Sequence, residues 1–237
     1  MASMQTRLIA RQEVADRTFA FHFEKPADFV FKPGQAIDLA LPSSGNDKLV
    51  HAFSLVAAPF EEELVIATRM RDSHYKQTLA NLSIGTSVML DGPFGSLTLS
   101  PTSKRPAVLV AGGIGITPFM SMVRQAGRDQ STRSLTLLYS NRRPEDTAFL
   151  AELQALAAHH SHFHLLATMT DMASSSEHWD GATGPIDAEK ISTSMQGLDN
   201  PIVYLAGPPP MVEAMRNALA DAGVEEDDIR DEGFFGY

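Results

Sequence analysis

The sequence contains no cysteine among its 237 residues. This absence excludes disulfide bonds, thiolate metal sites, cysteine-held iron–sulfur clusters and a cysteine nucleophile. Basic residues are also scarce, because 19 Lys and Arg stand against 29 Asp and Glu and give a net charge of −10. A field of this sign disfavours binding to nucleic acid or to an anionic membrane through overall charge. We therefore expect no nucleic-acid partner.

Long hydrophobic runs are missing as well. Residues 1–13 lack an apolar run of signal-peptide length, and no stretch is long enough to cross a bilayer. We expect a cytoplasmic protein without membrane insertion. What the chain does have is a globular composition, 43% hydrophobic and 20% charged, at a length that suits one large domain or two small ones. The composition does not indicate an oligomeric state.

Alternating apolar and polar residues dominate the first hundred residues. The clearest example is 19–23, which has the period-2 pattern of a half-buried strand. A helix is predicted over 73–81, with Asp72 or Ser73 as its N-cap. Six short strands and one helix predict a small, closed, six-stranded antiparallel β-barrel over residues 1–100. The strand-like runs are 6–14, 19–23, 35–41, 50–57, 63–70 and 86–92.

The pattern changes after a polar linker at 100–106 that contains two prolines. From there on, short apolar runs alternate with helix-like stretches, which predicts a doubly wound parallel α/β domain over 106–237. Pro144 suits the first turn of a helix, and Gly223 suits the left-handed cap that ends the last helix. Predicted strands are 106–111, 135–139, 163–169 and 202–206, and predicted helices run to about 128 and over 144–160, 187–193 and 209–223.

A glycine-rich turn, VAGGIGITP at 110–118, follows the first α/β strand and opens a helix. Glycines let the backbone approach a pyrophosphate, and the helix N-terminus adds N–H donors and partial positive charge. Proline is tolerated in the first helical turn, where its missing N–H is not needed. A tight turn without a ligand is the alternative. The candidate phosphate-binding residues are Gly112, Gly113, Gly115, Thr117 and Pro118.

A second glycine turn, AGPPPMV at 206–212, follows a later strand. Ligands of doubly wound sheets bind at the carboxyl ends of the strands. The two turns, about ninety residues apart, are therefore expected to flank one crevice. A proline-rich helix start is the alternative. The candidate binding residues here are Gly207, Pro208 and Met211.

Four short segments together resemble one protein family. GGIGITPF and AGPPPMV, with GPFG at 92–95 and AFSL at 52–55, are similar in order and spacing to motifs of the ferredoxin–NADP reductase family. The resemblance covers essentially the whole chain. It implies an FAD-binding β-barrel followed by a nicotinamide-binding α/β domain.

The resemblance implies a flavin site on one barrel strand. The family pattern there is Arg-x-Tyr-Ser/Thr, which corresponds to His51, Phe53 and Ser54 in this chain. It implies that Phe53 packs on the isoalloxazine and that Ser54, a catalytic residue, bonds near flavin N5. His51 departs from the family, because a neutral imidazole replaces the charged, bidentate guanidinium that pairs with the pyrophosphate. Core packing of Phe53 and a surface position of His51 are the alternatives.

Residues 68–77 resemble the family's second pyrophosphate segment. Free N–H groups at a helix N-terminus would face phosphate here, and Arg69 is the cation that we expect to replace the one missing at position 51. A solvated charged face is the alternative for each cation. FAD is the expected flavin, with FMN less favoured. The residues that the resemblance implies are Thr68, Arg69, Tyr75, Lys76 and Gln77.

Nicotinamide choice should depend on the residues that follow the second α/β strand. A carboxylate there favours NAD, whereas arginine accommodates the 2′-phosphate of NADP. Residues 139–143 read YSNRR, with no carboxylate before Glu145. Ser140 and Arg142 resemble the family's 2′-phosphate contacts, and with Arg143 they favour NADP(H) over NAD(H), although exposed arginines at strand ends also occur by chance.

Two further features border the expected reacting centre. Ala206, at a catalytic position, replaces a Cys that commonly lies beside nicotinamide C4 in the family, which implies a slower or retuned enzyme. The terminal GFFGY resembles an aromatic C-terminus that covers the flavin in some members, with Phe235 or Tyr237 as the ring that reaches it. A disordered tail is the alternative.

The resemblance implies an NAD(P)H-dependent flavoprotein reductase. Hydride would pass to FAD, and electrons would continue to a separate acceptor such as a ferredoxin, an oxygenase component, a ferric chelate or a quinone. An iron–sulfur acceptor would be a separate protein, because the two domains leave no room for an iron–sulfur module. A non-catalytic electron-transfer or sensing subunit is the alternative, since positions 51 and 206 both depart from the family. We expect no metal site, because no carboxylate or Cys accompanies the histidines at 159, 160, 162 and 164 at ligand spacing.

Overall fold

The structure, a computed structural model, describes residues 3–43 and 49–234. Its first half consists of β1 (Met4–Ala15), β2 (Thr18–Glu24), β3 (Ala36–Leu41), β4 (Leu49–Ser54), β5 (Glu63–Arg69), α1 (His74–Asn81) and β6 (Ser87–Phe94). The strands pair antiparallel in the order β4–β3–β6–β1–β2–β5. A bridge between Leu55 and Ile66 joins the two edges, so that the sheet closes into a barrel. The predicted six-stranded antiparallel barrel is confirmed.

The barrel interior follows from the alternation in the sequence. Phe21 and Phe23 of β2 are almost fully buried, and they pack with Leu39 of β3 and Ile66 of β5 in one apolar cluster. The intervening side chain of His22 is turned outward and bonds Glu63 at 2.7 Å. Period-2 patterning thus places the large side chains inside, as expected for a half-buried sheet.

Helix α1 begins where the sequence predicts. Ser73 is the N-cap, and its Oγ accepts a hydrogen bond from the backbone N–H of Lys76 at 3.3 Å. This bond satisfies one of the free donors of the first turn. Of the two predicted caps, Ser73 and Asp72, the structure therefore selects Ser73.

The second half forms a parallel sheet with helices between its strands. Its elements are β7 (Ala107–Gly112), α2 (Thr117–Arg128), β8 (Leu135–Asn141), α3 (Leu150–His159), β9 (Phe163–Met169), β10 (Ala182–Thr183), α4 (Ala188–Met195), β11 (Ile202–Gly207), α5 (Pro209–Asp221) and β12 (Ile229–Gly233). The strand order is β10–β9–β8–β7–β11–β12, and every pairing is parallel. The chain runs outward from β7 in one direction and from β11 in the other, so the order reverses between these two strands. This confirms the doubly wound architecture.

Two details of this half differ from the sequence expectation. The third helix begins at Leu150, because Pro144–Asp146 forms a separate 3₁₀ turn and Phe149 takes a left-handed φ of 60°. The acidic segment near the C-terminus contributes the edge strand β12, where Asp231 pairs with Arg216. The ion pair with Arg216 offsets the charge of Asp231, and hydrogen bonds to β11 hold residues 229–233 as a strand although their composition is polar.

The two halves share an apolar interface and several polar contacts. Ala20 and Ala67 of the barrel belong to the same buried cluster as Phe119 of α2. The hydroxyl of Ser121 on α2 donates to the carbonyl of Ala57 at 2.7 Å. The two halves therefore pack directly against each other through apolar and hydrogen-bonded contacts.

Candidate active site

Two glycine turns meet where the strand order reverses. Gly112 ends β7 and Gly207 ends β11, and the preceding residues Ala111 and Ala206 are register partners. A Cβ on Gly207 would lie 3.2 Å from the backbone nitrogen of Gly112. The structure thus brings both predicted turns into one crevice, at the sheet edge where open α/β sheets bind ligands.

Gly115 permits this close approach. It lies in the 3₁₀ turn Gly113–Ile116, and a Cβ there would come within 2.2 Å of the carbonyl oxygen of Ala206 and 2.7 Å of the nitrogen of Gly207. Real Cβ atoms do not approach backbone that closely. Only glycine can therefore hold the turn against β11 and keep the crevice narrow.

The N-terminus of α2 forms one end of the crevice. Gly113 has a φ of 54° with open space around its Cα, and Pro118 occupies the first helical turn. The hydroxyl of Thr117 is buried and donates to the carbonyl of Ile114 at 3.1 Å. Because that side chain is already bonded, backbone N–H groups are the donors that this turn offers to a phosphate.

A narrow cleft connects the crevice to the barrel between β4, β5 and the start of α2. Ser54 Oγ is buried there and has no hydrogen-bond partner among the described residues. An unbonded buried hydroxyl lowers stability unless a ligand satisfies it. This orphaned atom fits the requirement for a polar contact to a bound flavin. Six of the predicted site residues line the cleft together: His51, Phe53, Ser54, Thr68, Lys76 and Thr117.

An aromatic cluster stands at the barrel side of the cleft. The rings of His51 and Phe53 stack with centroids 4.9 Å apart, and Tyr75 lies 5.4 Å from the first and 5.8 Å from the second. The hydroxyl of Tyr75 donates to the carbonyl of Leu39 at 2.9 Å, and burial raises the pKa of this phenol. Tyr75 thus supports the cluster from within the barrel, and Phe53 and His51 reach the cleft.

The cations near the cleft are already engaged. Arg69 Nη2 donates to Asp146 Oδ1 of the other half at 2.9 Å. Lys76 is buried, donates to the carbonyl of Arg69 at 2.9 Å, and has its pKa lowered mainly by that burial. Gln77 lies outside this group, where its amide bonds Asp72 at 2.5 Å. If Arg69 replaces the cation missing at position 51, it would bind phosphate through the guanidinium donors that Asp146 does not engage.

The end of β8 carries two arginines with different surroundings. Arg142 is exposed and pairs with Asp171 at 2.8 Å, whereas Arg143 turns to the domain interface and bonds Asp146 through Nε at 2.9 Å. The bond from Arg142 holds the pKa of Asp171 below its usual range. Ser140 and Arg142 thus remain at the carboxyl end of β8, and Arg143 does not join them. Asp171 is a carboxylate that the sequence reading missed, because it follows the neighbouring strand β9.

The C-terminal strand adds two residues that the sequence reading also missed. Phe234 lines the cleft, and its backbone N–H donates to the carbonyl of Gly207 at 2.9 Å. Glu232 is the register partner of Ala206, and burial raises the pKa of its carboxyl. The two aromatic candidates named from the sequence, Phe235 and Tyr237, lie outside the described residues. The signal that could have found Phe234 is its position directly after a short strand that ends beside Gly207.

Within the described part of the chain, no three His, Cys, Asp or Glu side chains converge as a metal site, and no helix is long and apolar enough to cross a membrane. Two members of the histidine cluster bond backbone instead. His159 Nδ1 lies 2.7 Å from the carbonyl oxygen of Ala155, and His160 Nε2 lies 3.3 Å from that of Ala126.

A barrel, a parallel α/β sheet with a switch-point crevice and a connecting cleft define a two-domain fold. Residues 109–217 match the family model of the oxidoreductase NAD-binding domain. The chain is 30% identical over 212 residues to the reductase component of propane 2-monooxygenase from Rhodococcus jostii. The aligned region covers 86% of this chain and 56% of that protein. It thus spans just over half the length of that relative.

Solved structures share this two-domain fold. A flavohemoglobin from Malassezia yamatoensis with bound FAD and heme superposes with a TM-score of 0.84 at 25% identity, over 99% of this chain and 60% of its own. A ferredoxin NADP+ reductase from Neisseria gonorrhoeae with bound FAD and NADP gives 0.83 at 22% identity, over 98% and 99% of the two chains, which shows the fold. The chain therefore has the two-domain fold of ferredoxin NADP+ reductase, and residues 109–217 within it match the oxidoreductase NAD-binding domain.

Proposed function

We propose that this protein is an FAD-dependent NAD(P)H reductase that passes electrons to a separate acceptor. The observation that carries the proposal is the buried, unbonded Oγ of Ser54 in a cleft that opens on the switch-point crevice. A bound flavin supplies two-electron uptake and one-electron release. FAD is preferred over FMN, because the neighbours named above contain bound FAD.

The chain's own residues have distinct roles in this proposal. Ser54 donates a hydrogen bond to the ring that enters the cleft, and Phe53 and Phe234 exclude water from it. The backbone of the turn at 112–117 binds the nucleotide phosphates, supported by Pro208 and Met211 of the opposite turn. Ala206 is buried and carries only a methyl group. Alignment of the nicotinamide is therefore left to the two glycine turns and the phenylalanines of the cleft.

The acceptor is proposed to be the terminal component of an oxygenase system. Two relatives carry the names propane 2-monooxygenase reductase component and glycine betaine monooxygenase reductase subunit. Such reductases serve a second protein, so an iron–sulfur acceptor, where one is used, is external to these residues. The cytoplasmic location expected from the sequence stays a prediction.

We propose NADP(H) as the preferred nucleotide, with Arg142 as its 2′-phosphate contact. Asp171 competes for the same guanidinium at 2.8 Å, and a carboxylate at this strand end suits the ribose hydroxyls of NAD(H). The test is the ratio of kcat/KM for NADPH and NADH. Arg142→Ala should lower the NADPH value about tenfold, by loss of one charged contact, and leave NADH nearly unchanged. A reverse order of the two nucleotides in the wild type would transfer the assignment to NAD(H).

Ser54→Ala tests the catalytic assignment directly. Removing one hydrogen bond of about 1.4 kcal/mol in the transition state should slow flavin reduction about tenfold. The control is Ser54→Thr, which retains the hydroxyl and should keep the rate. The free energy of unfolding of the ligand-free protein should not fall in Ser54→Ala, because the hydroxyl has no protein partner. Equal rates in all three proteins would refute the role of Ser54.

A further inference from the structure

A groove between the two halves lies apart from the crevice and has no role in the proposed reaction. The loop after β2, the linker after β6, and the last turns of α2 form its walls. Its volume of about 910 Å³ is within the range of small-molecule sites. Ala126 in this wall lies nine residues along α2 from Thr117, or about 13 Å at 1.5 Å per residue.

The inner wall of the groove is apolar. Phe31 of the barrel and Met122 of α2 are both buried, and Leu99 of the linker is half-buried. These side chains come from both domains. The apolar surface that is still accessible belongs to Leu99, Pro33 and Pro59, which are only half-buried. A hydrocarbon or aromatic group in the groove would remove this surface from water.

The rim of the groove is positively charged, although the chain carries a net charge of −10. Among the residues that the structure describes, Lys32, Lys104 and Arg133 line it, against the single carboxylate of Asp129. Both oxygens of that carboxylate accept from the amide of Gln125 at 3.0 Å, and no cation in the described ranges pairs with them. None of the three cations forms an ion pair with a residue in the described ranges.

Arg133 is the strongest indication of a ligand. Its Nη1 donates to the carbonyl of Ser100 at 3.3 Å, but Nε and Nη2 are buried without any partner among the described residues. A guanidinium is always charged, and a buried charge without a counter-ion is unfavourable. An anion in the groove would neutralise this charge. The crevice does not supply one, because it lies at the other end of α2.

We propose that this groove binds an amphipathic carboxylate, that is, a small molecule with an aromatic or alkyl body and one anionic head. The body packs on Leu99, Pro33 and Pro59, and the head is held by Arg133 with Lys32 and Lys104 at the rim. Because the ligand contacts both domains, it stabilises their packing. It does not compete with nucleotide, since the two sites are separate.

The experiment measures binding of 4-phenylbutyrate to the purified protein by calorimetry, with FAD and NADP+ present in excess. Excess cofactor occupies the phosphate-binding positions of the crevice. The neutral analogue 4-phenylbutanol lacks the anionic head, so it tests the contribution of the charge. Inorganic phosphate lacks the apolar body, so it tests the contribution of the body. The variants are Lys104→Gln with Arg133→Gln, and separately Lys32→Gln at an exposed position. Arg7→Gln, an exposed cation on β1, is the control for net charge.

The carboxylate should bind the wild type and Arg7→Gln alike, and about tenfold more weakly to the double variant. Lys32→Gln should weaken carboxylate binding by a smaller factor. Because Lys32 is exposed, this variant should fold even if the double variant does not. The alcohol and phosphate should each bind more weakly than the carboxylate. Absence of carboxylate binding at millimolar concentration, equal binding by all variants, or equal binding of the alcohol would overturn the proposal. The groove contains none of the residues placed in the crevice, so this result is independent of reductase activity.

Discussion

Gly115→Ala should separate the two walls of the crevice. The added Cβ would lie 2.2 Å from the carbonyl oxygen of Ala206 and 2.7 Å from the nitrogen of Gly207. Both atoms belong to β11, which is hydrogen-bonded to a strand on each side and cannot yield cheaply. The φ of Gly115 is not positive, so the effect is purely steric. We expect a loss of about 3 kcal/mol in the free energy of unfolding, the upper end of the range for overpacking.

Urea unfolding of matched glycine variants checks this value. In Gly113→Ala the added Cβ would have no atom within 4 Å. The free energy of unfolding should therefore fall by only about 1 kcal/mol, because of the left-handed φ. Gly112→Ala would press on the sulfur of Met211, the flexible end of a side chain, and should fall between the two. NADP+ affinity should fall most in Gly115→Ala. If Gly115→Ala unfolded at the same urea concentration as Gly113→Ala, the close approach of the two turns would be refuted.

Three further variants test the charged and buried groups around the site. Asp146→Asn weakens the bonds from two guanidinium groups to a buried carboxylate and should cost about 3 kcal/mol. The pKa of Asp146 is lowered in the folded state, so its contribution to stability is present above the unfolded pKa and disappears as pH falls. Between pH 6 and about 3, the free energy of unfolding of the variant should therefore depend less on pH than that of the wild type. The pKa of Glu232 is raised, so wild type should lose stability relative to Glu232→Gln as pH rises from about 4 to 7, and a parallel pH profile would contradict this. Tyr75→Phe leaves a buried carbonyl without its donor and should lower the free energy of unfolding by about 1–2 kcal/mol in urea; an unchanged value would mean that the hydroxyl bond adds nothing.

Features set by short stretches of sequence were predictable. The alternation at 19–23 and a helix N-cap at Asp72 or Ser73 follow from local chemistry, and the structure agrees with the alternation and selects Ser73. The crevice was also predictable, because two helix-opening glycine turns after parallel strands meet wherever the strand order reverses. Gly112 and Gly207 do meet there.

Features that depend on contacts between distant segments were not predictable. Asp171 reaches Arg142 only because β9 pairs with β8, and Asp146 reaches Arg69 only across the domain interface. No local pattern encodes either pairing. Glu232 was hidden in an acidic stretch whose charges are neutralised only in the fold.

The central claim is that the cleft holds a flavin that NAD(P)H reduces. Its most direct test is an anaerobic titration of the purified, FAD-loaded protein with NADPH and with NADH, followed by absorbance. The protein should be yellow, and at least one nucleotide should bleach it within seconds. A colourless protein that takes up no FAD would contradict the claim. A yellow protein that neither nucleotide bleaches would contradict it too, in favour of a non-catalytic electron-transfer or sensing subunit.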